Sequence, residues 1–173
     1  MLNFYTVDAK YIMMLKKAET EYRGFSRVPN VQYERRSKFV CGPLLWDEDF
    51  VYYAPVSSYR KEMPDNLVIY AKNGQAVGSL RFNYMFPVPL DVFSVKHIDN
   101  EPDMKYRTLL AQELRFCLKH ETEIRTKAQD TYHRVTLGID KHLRFNSCAF
   151  RILEEAAREW LAQERQRLLG IVD

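Results

Sequence analysis

A chain of 173 residues with 46% apolar, 13% aromatic and 28% charged side chains has enough to bury one compact core, which predicts a single domain over 1–173 and excludes a disordered chain. The 26 Lys and Arg against 23 Asp and Glu leave a net charge of only +3, a balance that permits a nucleic-acid partner without requiring one. Cys41, Cys117 and Cys148 form no C-x-x-C pair and the 4 histidines are scattered, so neither a zinc cage nor a disulfide framework is expected. No apolar run is long enough to span a bilayer and the N-terminus lacks a signal-peptide pattern, which predicts a cytoplasmic protein with no membrane partner.

Alternation in Phe4-Tyr5-Thr6-Val7 predicts a short strand, and Asp8 the cap of a helix over about 9–19 whose Tyr11, Ile12 and Leu15 share one face. Residues 20–37, with Gly24, Arg27, Pro29, Asn30, Arg35 and Arg36, read as a surface loop. Residues 38–46 read as a strand, 47–49 as its turn and 50–55 as the returning strand, while 67–71 and 77–82 flank Asn73-Gly74 as a second hairpin. Such a block predicts a small, strongly bent antiparallel sheet or barrel.

Past the proline-rich residues 85–89 the apolar period becomes helical. One helix carries Tyr106, Leu109, Leu110, Leu114 and Cys117, and a second covers about 121–135. A third, capped by Asn146 or Ser147, sets Phe150, Leu153, Ala157, Trp160, Leu161 and Leu168 in one stripe. The class is α+β, with helices added mainly from the C-terminal half.

The common nucleotide-binding, serine-hydrolase and metalloprotease motifs are all absent. What remains is a polar, basic cluster around the first hairpin: Tyr33 and Lys38 before its first strand, and Ser57-Ser58-Tyr59-Arg60-Lys61 after its second. Antiparallel pairing sets the start of one strand beside the end of the other, so Lys38 and Ser57/Ser58 become spatial neighbours. Hydroxyls and cations together suit a phosphodiester, whose non-bridging oxygens they hold and whose charge they balance. Taken singly, Ser57-Ser58 also fits an ordinary turn pair and Lys38 a solvated edge charge.

At these residues the sequence resembles the ToxN/AbiQ family, the protein toxins of type III toxin–antitoxin systems, which includes the CptN toxins. The likeness runs through Phe4-Tyr5-Thr6-Val7-Asp8, Arg27-Val28-Pro29-Asn30, Lys38-Phe39-Val40-Cys41-Gly42, Tyr53-Ala54-Pro55-Val56-Ser57-Ser58, Met85-Phe86-Pro87-Val88-Pro89 and Glu113-Leu114-Arg115-Phe116. It implies a metal-independent endoribonuclease, with no cofactor, on a compact bent antiparallel β-barrel core of the MazF/Kid kind with added helices. It also implies an antitoxin RNA cut from a tandem-repeat transcript, folded as a pseudoknot, which closes with the toxin into assemblies such as three proteins with three RNAs. The implied role is phage defence by abortive infection, acting on cellular or phage RNA.

Carried over by position, the family's site falls on Tyr33, Lys38, Ser57, Ser58 and Arg60. This chain has Arg60 where the family has lysine, and Lys61 next to it, so the cationic role falls to either. In this reading the substrate's 2′-hydroxyl attacks the adjacent phosphorus and leaves a 2′,3′-cyclic phosphate. Lys38 with Arg60 or Lys61 stabilises the phosphorane and Ser58 orients the phosphate, with Ser57 as a second donor. Proton transfer falls to Tyr33 or a lysine, and His97 is a bystander. Arg27, Arg35 and Arg36, with Lys105, Arg107 and Arg115 on the first long helix of the C-terminal half, supply RNA contacts. The rival readings are a non-catalytic RNA-binding module and an adaptor docked through the C-terminal helix.

Overall fold

The computed structural model describes residues 1–30 and 38–170, together with the backbone of Gln32–Tyr33 and Arg36–Ser37. Strand β1 (Asn3–Val7) leads into α1 (Ala9–Arg23), where the Asp8 carboxylate accepts from the Lys10 and Tyr11 N–H groups at 2.8 and 3.1 Å, as the sequence predicts. The helix outruns its expected end by a full turn and stops at Gly24, φ 84°. A two-stranded ladder follows, β2 (Gln32–Tyr33) with β3 (Arg36–Ser37), inside the segment expected to be loop.

The remaining strands are β4 (Val40–Gly42), β5 (Val51–Ser57), β6 (Asn66–Tyr70), β7 (Ala76–Arg81), β8 (Phe86–Val88) and β9 (Phe93–Val95). With β1 they form a 7-stranded antiparallel sheet, ordered β6-β7-β5-β4-β1-β9 with β8 also on β5. Gly74, φ 79°, turns β6 into β7 as expected. Four helices complete the described residues: α2 (Met104–Lys119), α3 (Glu121–Thr136), α4 (Lys141–Asn146) and α5 (Phe150–Leu168).

β5 is the spine of the sheet. One side pairs with β4 at Ala54 and Pro55; the other pairs with β8 through Tyr53 and with β7 from Val56 onward. The change of partner falls at Ala54-Pro55, where Pro55 has no N–H to donate, and opposite the 3₁₀ turn Phe82–Tyr84 that joins β7 to β8.

The expected barrel is not formed. Among the described residues the end strands β6 and β9 do not pair, and α2 packs against β6 and β7 at one end of the path and against β1 near the other. A helix therefore occupies the seam that hydrogen bonds would have to close. The buried thiols of Cys117 on α2 and Cys41 on β4 meet across this packing, and that contact, with burial, pushes the Cys41 thiol well up.

Two further expectations are corrected. The first hairpin's opening strand is only β4, because Pro43 cannot donate; pairing resumes beyond it through Leu44 N–H to the Tyr52 carbonyl and Tyr52 N–H to the Leu45 carbonyl, both 2.9 Å. Neither Asn146 nor Ser147 caps α5: Asn146 closes the short α4, and α5 starts at Phe150 with Ala149 N–H donating to Glu19 Oε1 at 2.7 Å. On its core side α5 holds Glu154, whose buried carboxylate accepts from the Tyr52 and Tyr132 hydroxyls at 3.0 and 2.6 Å.

Candidate active site

The register Val40↔Pro55 and Cys41↔Ala54 sets the start of β4 beside the end of β5, and Val56 N–H donates to the Phe39 carbonyl at 3.4 Å. Lys38, Ser57 and Ser58 accordingly line one cavity of about 660 Å³, together with Arg27, Arg60, Arg81, Tyr84, Tyr106 and Glu113. The neighbourhood read from antiparallel pairing is the one observed.

Ser57 Oγ accepts from Tyr59 N–H at 3.2 Å and so shapes the turn while keeping its own proton to donate. Ser58 is exposed, and its hydroxyl makes no hydrogen bond among the described residues. Arg60 lines the cavity; Lys61 does not, and its carbonyl accepts from Asn66 Nδ2 at 2.9 Å. The side chains of Tyr33 and Arg36, and Arg35 altogether, lie outside the described residues.

Of the expected RNA contacts, Arg27 lines the cavity. Its guanidinium sits over the Phe25 and Phe145 rings at 5.2 and 5.6 Å, and the Arg27 backbone N–H donates to Glu19 Oε2 at 2.7 Å. Lys105 and Arg115 are exposed on α2, Arg107 Nε donates to the Glu101 carbonyl at 2.9 Å, and none of the three lines the cavity. His97 is exposed and also off the cavity.

Three groups were not read from the sequence. Arg81, on β7, lies between the Tyr59 and Tyr84 rings at 5.1 and 4.8 Å. Its Nε and that of Arg27 are buried donors with no hydrogen-bond partner among the described residues. Lys16, on α1, donates to Asn30 Oδ1 at the cavity wall; burial and then the charge of Lys38 hold it below the usual lysine range. Glu113, on α2, is buried, and burial alone raises its carboxyl to about 7. A signal for it did exist: Leu110, Glu113 and Cys117 share one helical stripe, so a carboxyl interrupts the apolar face.

Cations and hydroxyls around one cleft, set on an antiparallel sheet backed by helices, are chemically suited to a phosphodiester chain. The chain belongs to the family described as Toxin ToxN, type III toxin–antitoxin system, whose family model matches residues 3–158. Endoribonuclease AbiQ of Lactococcus lactis subsp. lactis is 26% identical over 170 residues, covering 90% of this chain and 87% of AbiQ. Endoribonuclease ToxN of Pectobacterium atrosepticum is 25% identical over 171 residues, covering 92% of this chain and 94% of that protein.

Solved structures share the fold, these two among them. One comes from a type III toxin–antitoxin system in which a non-coding RNA pseudoknot selectively inhibits the toxin; it superposes with a TM-score of 0.82 at 23% identity, over 92% of this chain and 97% of that one. The other is AbiQ, a lactococcal anti-phage endoribonuclease of the type III class, at a TM-score of 0.81 and 23% identity, over 94% and 99% of the two chains.

Proposed function

We propose that the chain is an endoribonuclease toxin that cuts RNA without a bound metal ion, through attack of the substrate's own 2′-hydroxyl. The observation that carries this reading is the convergence of Lys38, Ser57, Ser58 and Arg60 with Arg27 and Arg81 on one cavity, in a chain of the ToxN family. Ser58, exposed and unengaged, orients the scissile phosphate and Ser57 donates a second hydrogen bond. Lys38 and Arg60 stabilise the dianionic phosphorane, where charge grows beyond that of the ground state. Arg60 rather than Lys61 takes the cationic role because it is the one on the cavity. The orphaned Nε donors of Arg27 and Arg81 hold flanking phosphates.

The inhibitor in this reading is a structured antitoxin RNA processed from tandem repeats. It occupies the same cleft as a bound product, in a closed assembly such as three proteins with three RNAs, and its loss during phage infection releases the toxin in the cytoplasm. Cleavage of cellular RNA by the purified chain in excess EDTA tests the reading. The expected products carry 2′,3′-cyclic phosphate and 5′-hydroxyl ends, and a DNA strand of the same sequence stays intact because it lacks the nucleophile. Activity lost on chelation and restored by magnesium, or RNA bound but left uncut, would overturn it.

A further inference from the structure

We propose that Glu113 is the general base of this site, taking the proton from the substrate's 2′-hydroxyl, a proposal that rests on the endoribonuclease reading above. α2 turns Leu110, Glu113 and Cys117 toward the sheet, and Glu113 ends 4% exposed with no hydrogen bond or ion pair among the described residues. A buried carboxyl without a partner is costly unless another molecule meets it. Its place is on the cavity wall, where it is the one carboxyl among the described lining residues.

The strands beside it leave room for no side chain at Gly78. A Cβ on Gly78 would stand 2.7 Å from Glu113 Oε1 and 2.8 Å from the Ser57 carbonyl oxygen, so glycine at this point of β7 lets the carboxyl settle against β7 beside the Ser57 backbone of β5. The other ionisable groups facing the cavity are Arg27, Lys38, Arg60, Arg81, Tyr84 and Tyr106, while Tyr70 lies on β6, also packed on α2. All of those are cations or phenols. Burial holds the Glu113 carboxyl near 7, where a group both accepts and returns a proton readily at neutral pH.

The step balances without a co-reactant. As the 2′-oxygen bonds to phosphorus, its proton passes to the Glu113 carboxylate. The P–O5′ bond then breaks with its electron pair on O5′, which takes a proton from solvent, and Glu113 returns its own proton to water.

The experiment is single-turnover RNA cleavage in EDTA from pH 5 to 8.5, by the native chain and Glu113→Gln, with RNA affinity measured in parallel. The native rate is expected to fall about tenfold per pH unit below ~7 and to level above it. Glu113→Gln is expected to cut roughly 10²–10⁴-fold more slowly, without that acidic limb and with RNA affinity within about twofold, and Glu113→Asp to fall between the two. A substrate with sulfur replacing O5′, whose leaving group needs no proton, should not rescue Glu113→Gln; rescue would move the residue to the leaving group and overturn the assignment. A native profile flat down to pH 5.5, which needs no variant to fold, or Glu113→Gln cutting at the native rate, would also overturn it. A native chain that cuts no RNA removes the endoribonuclease reading itself, which keeps the two failures apart.

Discussion

The carboxylate of Glu19 and the backbone N–H of Ala149 meet at 2.7 Å, so the N-terminus of α5 is capped by a side chain of α1. The same carboxylate accepts from Arg23 Nη2 at 2.5 Å, from Ser26 Oγ and Arg27 N–H at 2.7 Å, and from Val28 N–H at 3.3 Å. One buried acid thereby ties two helices to the segment that delivers Arg27 to the cavity.

Glu19→Gln should therefore destabilise the fold by about 3 kcal/mol, because it turns a donor toward donors and leaves the half-buried Arg23 without its counter-charge. Urea unfolding of the two proteins at pH 7 measures this. A loss below about 0.5 kcal/mol would show that the charge is dispensable at this junction.

Ser58→Ala should abolish toxicity and slow RNA cleavage by roughly 10²–10³-fold, the loss expected for one donor to a developing oxyanion. Its unfolding midpoint should not change, since the hydroxyl is exposed and unengaged. Lys38→Ala should match it, and Lys38→Arg recover only part of the rate, because a planar fork does not reproduce a point charge. Growth assays at matched expression, with cleavage assays on purified protein, check all three; undiminished toxicity of Ser58→Ala would remove the assignment.

What could be read from the residues was what local chemistry determines. Asp8 caps α1 through its immediate neighbours, Asn73-Gly74 turns a hairpin, and pairing across one hairpin joins Lys38 to Ser57 and Ser58. What could not be read depends on distant chain. Glu19 caps α5 from the other end of the sequence, Arg81 reaches the cavity from β7 only because β7 displaces β8 along β5, and α2 keeps the sheet open by filling its seam. Glu113 lies between these cases, marked by a break in an apolar stripe but given its setting by Gly78.

RNA held by Arg27 and Arg81 should release counterions. The log of its affinity should fall linearly with log salt, and Arg27→Gln or Arg81→Gln should each lower that slope by about 1. Charge reversal at Arg35 and Arg36, the basic pair preceding Lys38 in sequence, should lower it further while leaving some cleavage. Titration of a repeat-derived RNA across a salt series decides this, and an affinity indifferent to salt would exclude the basic cleft as its seat.

The last prediction uses the burial of Glu113 to separate stability from activity. An unfolded carboxyl titrates at the ordinary value of 4.5, whereas in the fold burial raises it to about 7. Below 4.5 both states hold the proton and nothing is lost. Between the two values the folded chain keeps a proton that the unfolded chain has released, and above 7 both are ionised, so the folded state carries a buried, unpaired charge. Native stability should therefore decline as pH rises from about 4.5 to 7, by up to roughly 3 kcal/mol at 1.36 kcal/mol per pKa unit. Glu113→Gln has no such decline, so its advantage in unfolding free energy should grow from near zero at pH 4.5 to about 3 kcal/mol at pH 8. Urea unfolding of both proteins at the two pH values measures the difference. A constant offset would mean that the carboxyl is already ionised and solvated in the fold, whereas a more stable but inactive Glu113→Gln is the behaviour of a group kept against folding stability for the chemistry of the site.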